Sequence, residues 1–238
     1  MTHGANLRVC IFCGWHGKLT REDAWPSWLM RELFPRGVPI RKTFGTNLQQ
    51  LAAHAKVAAD LRTKIEAVCY PCNHDWLGPK EAEIKSKLLT WMAGLHGPLG
   101  VDDQRQLAFW TIKTTMTVQL AYPASERGVP RNQYRQLHAN TDRPPTGVHV
   151  FVGHQPERVP GNLFAIQPID FTHPELTPLG LRMNPYRAYQ ATLVIKRLVL
   201  KVIGHNGPPS VQLPRIFPNL DAIRDLTEIW PPSSLFVR

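Results

Sequence analysis

At 238 residues, with 43% hydrophobic and 19% charged side chains, the chain has the makeup of a globular protein with a sizeable core, which excludes wholesale disorder. No apolar run reaches the roughly eighteen residues of a spanning helix, which excludes a helical membrane anchor. The 28 Lys and Arg against 18 Asp and Glu leave a formal charge of +10, spread along the chain rather than gathered in a tail, and this balance suits a polyanionic partner.

Leu7 to Phe12 reads as a short strand entering Cys10-Ile11-Phe12-Cys13. The same spacing recurs at Cys69-Tyr70-Pro71-Cys72, and no cysteine is left over. A thiolate pair at this spacing chelates one metal from a tight turn, and two pairs complete a tetrahedral zinc site. Cys10, Cys13, Cys69 and Cys72 are therefore expected to hold one structural zinc, whose closed sulfur shell leaves no position for water. Redox dithiols of this spacing would each open a helix in a strand-helix-strand unit, and an exported disulfide protein would start with a charged and apolar leader. Neither pattern is found, and reduced thiols fit a cytoplasmic setting.

Trp25 to Phe34 reads as a helix ended by Pro35-Arg36-Gly37. Glu22-Asp23 just before it has two readings, a functional acidic pair or a helix N-terminus capped by Asp23. Thr46 to Leu61 is open between helix and hairpin arm, and Arg41, Lys42, Lys56, Arg62 and Lys64 are either phosphate-facing or a solvated surface. Gly78-Pro79-Lys80-Glu81 reads as the start of a helix running to about Leu95, with Ile84, Leu88, Trp91 and Met92 at helical spacing. Asp102-Asp103 opens a second helix reaching Leu120 or Ala121, apolar nearly all round and so expected to be central and buried. Lys113 interrupts that surface and is expected to snorkel to water rather than meet a carboxylate.

From Tyr122 onward prolines and polar residues make connections, and strands follow. These are Val148 to Val152, Leu163 to Ile169, and Tyr189 to Ile203, the last breaking near Lys196-Arg197. The imperfect alternation over 198–202 reads as a sheet edge, and Gly153-His154 and Gly204-His205 read as turns with exposed imidazoles. The proline-rich tail beyond Gly207 reads as surface wrapping, with a short helix near Leu220 to Leu226.

The residues beside the knuckles carry the functional signal. Glu22-Asp23-Ala24-Trp25-Pro26 follows the first, and Asn73-His74-Asp75-Trp76-Leu77 follows the second and leads to Glu81. Together with the two Cys-x-x-Cys pairs they resemble the HNH (ββα-metal) endonuclease superfamily, in the zinc-stapled form found in actinobacteria and their phages. The resemblance runs from Cys10 to about Glu81. It implies an α+β fold with a zinc-stabilised ββα-metal core in 1–97, a central helix in 98–122 and a β-rich region in 123–238, packed as one unit. It also implies that Glu22 and Asn73, with Glu81 assisting, hold one Mg²⁺ or Mn²⁺. Asp23 stands where the family places its general-base histidine. Three roles are open to it: a base whose proton affinity burial and Glu22 raise, a bystander replaced in space by His16 or His74, or part of a site that binds without hydrolysing.

Two functions follow. One is a metal-dependent endonuclease cutting phosphodiester bonds, with the cation polarising the phosphate and Asp23 or a histidine activating water. The other is a zinc-stabilised binding module for nucleic acid, DNA ahead of RNA, or for an acidic protein. No phosphate loop or dinucleotide fingerprint supports a nucleotide-binding enzyme.

Overall fold

The structure, a computed structural model, describes residues 8–34, 40–42, 56–58, 63–95, 97–124, 127–154, 163–171, 186–207 and 226–231. It is a mixed α+β protein. The expected helix near Leu220 to Leu226, most of Thr46 to Leu61, and Arg62 lie outside these residues.

The chain opens with a small ladder, β1 (Arg8–Val9) on β2 (His16–Gly17), followed by β3 (Leu19–Asp23). Helix α1 covers Ser27–Leu33 with Pro26 at its N-cap, so the acidic pair does not cap it. Glu22 and Asp23 instead end β3, which pairs antiparallel with β6 (Lys64–Cys69). Between them β4 (Ile40–Lys42) pairs with β5 (Lys56–Ala58).

After β6 the chain winds into a helix at once. Pro71–Leu77 is π-helical and passes without a break into α2, Gly78–Met92. An α-helix does begin at Gly78-Pro79, but it continues a π-helical turn instead of opening from a loop. The wide winding bonds the Gly78 N–H back to the Asn73 carbonyl, and where it tightens to α-helical spacing an N–H is dispensable. Pro79, which has none, sits at that junction.

Helix α3 (Val101–Gln119) is the axis of the molecule, with 14 of its 19 residues buried. On one side it packs against α2, and its Thr117 hydroxyl donates to the carbonyl of Ala24, just past the end of β3, at 3.0 Å. On the other it lies against strands of the sheet. Two of its buried threonines turn their hydroxyls back onto the helix, Thr111 to the Leu107 carbonyl at 2.6 Å and Thr117 to the Lys113 carbonyl at 3.1 Å.

The sheet has five antiparallel strands: β7 (Val148–His154), β8 (Leu163–Phe171), β9 (Tyr186–Ile195), β10 (Leu198–His205) and β11 (Thr227–Trp230), in the order β11-β7-β10-β9-β8. The 198–202 stretch is thus central, not an edge. Its alternation is blurred because Leu198, Leu200 and Val202 join the core while Lys201 and Ile203, between them in the alternation, are buried as well. Gly153-His154 and Gly204-His205 are strand residues, and His205 is only 2% exposed. Gly204 is demanded by packing, since a Cβ there would lie 2.3 Å from the Tyr189 ring. The β9–β10 turn does fall at Lys196-Arg197, with Lys196 at φ 54°, and it docks on the helices: Arg197 N–H donates to the Met92 carbonyl at 3.3 Å, and Lys196 pairs with Glu32.

Helix α4 (Arg131–Ala139) and strand β11 are among the elements the sequence did not announce. Helix α4 turns Gln133, Tyr134 and Leu137 inward. The Tyr134 hydroxyl donates to the Met116 carbonyl at 3.0 Å, and Gln133 links the Tyr189 hydroxyl at 2.9 Å with the His205 carbonyl at 2.9 Å. Strand β11, within the supposed surface tail, adds to the sheet beside β7 and buries Ile229 completely.

Candidate functional site

The two knuckles converge. The sulfurs of Cys10, Cys13, Cys69 and Cys72 all lie within 4.8 Å of one another, and Cys13 and Cys69 are 3.6 Å apart. Sulfurs at tetrahedral corners around zinc, each about 2.3 Å from it, stand about 3.8 Å from one another, so the four cysteines can hold a metal ion such as zinc. Backbone geometry prepares them. Gly14, at φ +79°, closes the first knuckle, and the N–H groups of Trp15 and Cys69 point at the sulfurs of Cys13 and Cys10, each at 3.4 Å. Ile11 N–H donates to the Ala67 carbonyl at 2.9 Å and binds the first knuckle to β6. Burial, with the neighbouring thiols adding to it, pushes the Cys72 thiol up, and burial also raises Cys69. Cys10 falls below its ordinary value, because backbone N–H groups outweigh its burial.

A second cluster forms where β3 ends against the helix. Asn73 follows Cys72 directly, and its Nδ2 donates to the Thr20 hydroxyl at 3.3 Å while its side chain also hydrogen-bonds Glu22. Thr20 in turn donates to the Val68 carbonyl at 2.8 Å. From α3, Lys113 reaches into this corner and its Nζ meets Glu81 Oε1 at 2.7 Å, with the lysine side chain only 7% exposed. Lys113 therefore does not snorkel; a carboxylate on the facing helix is nearer than water.

Glu22 is half-buried, and its carboxyl is raised above the ordinary carboxylate range. Burial is the main cause, Glu81 and Asp23 add to it, and Lys113 and Asn73 oppose it. A carboxyl with a raised folded-state value contributes stability that is fully present below the unfolded value and is lost as pH rises through the folded one. Glu22→Gln, which mimics the protonated form, should therefore raise the melting temperature at neutral pH and converge with wild type in acid. A pH series of thermal melts reads this out, and a variant less stable at every pH would contradict it.

Asp23, which the resemblance puts at a base position, is ion-paired with Lys64 at 2.8 Å. The two histidines proposed to replace a base are elsewhere. His16 is exposed in a groove with Val9, Arg131 and Arg135, and His74 stacks at the surface on Tyr70, ring centroids 4.2 Å apart. Glu22, Asn73 and Glu81 are brought together; His16 and His74 are not brought to them. Among the described residues, the four cysteines are the one group of three or more His, Cys, Asp or Glu side chains placed to share a metal ion. Trp76 packs edge-on against Phe12 and Phe109, as a core residue. No helix of the described residues is long and apolar enough to cross a membrane.

No protein-family model, no curated protein and no solved structure matches the chain, so the site's own chemistry has to carry the functional argument.

Proposed function

We propose that this chain is a zinc-clamped, HNH-like protein that binds nucleic acid, and that it acts by occupancy rather than by hydrolysis. The observation that carries the reading is the meeting of Glu22, at the end of one strand of an antiparallel pair, with Asn73, directly after the second knuckle on the following helix. A strand-strand-helix order with an acidic residue and an asparagine at these places is what the HNH resemblance implies, and their meeting supports the reading. Zinc on the four thiols staples strand to helix. The +10 charge supplies attraction to phosphate. Binding is favoured over cutting because the carboxylate in the base position is held by Lys64, while His16 and His74, the two histidines expected to replace it, lie exposed elsewhere.

Hydrolysis is the second reading, and Glu22 favours it. A carboxyl held above its ordinary range by burial is a better proton acceptor near neutral pH than an exposed one.

Fluorescence anisotropy with labelled duplex DNA, single-stranded DNA and RNA over a salt series should give tight binding at low salt that falls steeply as salt rises. The zinc-loaded protein should leave supercoiled plasmid intact in Mg²⁺ or Mn²⁺. Absence of binding to any of the three probes would remove the nucleic-acid reading and leave the acidic-protein partner. Nicking that disappears in both Glu22→Ala and Asn73→Ala would install the endonuclease instead.

A further inference from the structure

We infer that Lys113 is the built-in cation of the acidic pocket, so that Glu22, Asn73 and Glu81 take no divalent metal while it stands. The HNH resemblance implies Mg²⁺ or Mn²⁺ on these three residues, and oxygen donors of this kind do suit a hard cation. The geometry speaks against it. A divalent ion binds a carboxylate oxygen at about 2.0–2.6 Å. Lys113 Nζ already sits 2.7 Å from Glu81 Oε1, so an ion on the same oxygen would stand within about 5 Å of the ammonium. In a site where that ammonium is only 7% exposed, the repulsion is poorly screened.

Lys113 has no easy way out. Its neighbours on α3, Ile112, Thr114, Met116 and Thr117, are all buried, and α2 packs over the side from which the chain projects. Asn73 is also turned the wrong way, since its Nδ2 donates to Thr20 and its hydrogen bond favours the charged form of Glu22, so the amide N–H end faces the carboxylate. A shared metal would need the amide oxygen there. The pocket therefore already carries its own cation, and an added one would stand beside a buried ammonium or have to displace it. This assignment deepens the binding reading, because it gives the pocket no metal with which to polarise a phosphate.

The test is Mn²⁺ binding by the zinc-replete protein, followed by the loss of the free-ion electron paramagnetic resonance signal and by thermal melts. Wild type should show no Mn²⁺ site that Glu22→Gln removes, and Mg²⁺ or Mn²⁺ should move its melting temperature no more than sodium at equal ionic strength. Lys113→Met should bind Mn²⁺ roughly tenfold or more tightly than wild type, since a like charge a few ångströms away is gone, and adding Glu22→Gln should abolish the gain. A wild-type Mn²⁺ site lost in Glu22→Gln or Glu81→Gln would overturn the inference, and this arm needs no Lys113 variant to fold. So would a folded, zinc-loaded Lys113→Met that gains no site. Because no nucleic acid enters the measurement, its failure is distinct from failure of the binding reading.

Discussion

Stripping the metal from the four thiols should unfold the hairpin side of the molecule and, with it, the seat of α3. Structural zinc on a thiolate shell contributes apparent binding energies of about 10–16 kcal/mol in small zinc modules, as much as the whole 5–15 kcal/mol by which a typical domain is stable. Here the clamp ties three otherwise separate pieces: the first knuckle, the end of β6, and the π-helical turn that presents Asn73. Phe12, buried within the first knuckle, touches Trp76 and Tyr134, so loss of the knuckle reaches α4 as well. Titration with a mercurial should consume four thiols per chain, release about one zinc to a chromogenic chelator, and collapse the tryptophan circular dichroism. Cys72→Ser, at a buried corner, should do the same to the dichroism without mercurial. Because Cys69 and Cys72 are raised and must lose their protons to bind metal, zinc uptake should release protons and weaken as pH falls. A metal-free protein with unchanged dichroism and melting would show that the clamp is not structural.

The part of the molecule written most plainly in the sequence is the part where chemistry restricts residue type. Four cysteines in two equal spacings can do little else than converge, and they do. Asn73 stands out because it directly follows the second knuckle, and its side chain meets Glu22. The helix of α3 was equally plain, since an apolar surface nearly all round has to be buried. What escaped reading was decided by partners far along the chain. Lys113 meets Glu81 across 32 positions, and nothing local distinguishes a lysine bound for a carboxylate from one bound for water. Helix α4 turns three residues inward, of which Leu137 alone is aliphatic, while Gln133 and Tyr134 are held by hydrogen bonds to β9, β10 and α3. Strand β11 is four residues closed off by proline, too short to show a period. The π-helical winding hid behind Gly78-Pro79, a pair that ordinarily marks a boundary.

Removing one partner of the Lys113 and Glu81 pair should destabilise the protein far more than removing both. Breaking a buried ion pair leaves an uncompensated charge and costs about 3–5 kcal/mol, whereas replacing both members with apolar side chains is often neutral or stabilising. Lys113→Met strands Glu81 beside Glu22, two carboxylates with no cation between them, and the expected loss falls at the lower end of that range because Glu81 keeps 20% exposure. Glu81→Leu strands the ammonium, which is only 7% exposed and has Glu22 as its remaining counter-charge, so its loss should be the smaller of the two. The double variant Lys113→Met with Glu81→Leu should recover most of the stability of wild type, so that the coupling energy in a double-mutant cycle of urea unfolding approaches the sum of the two single losses. Strictly additive single losses would mean that the pair is not coupled, and that Lys113 is held in α3 by its packing alone. A coupling that grows when Glu22 is also changed to Gln would place all three charges in one network, since protonation-like neutrality at Glu22 leaves Glu81 as the lysine's one counter-charge in the pocket.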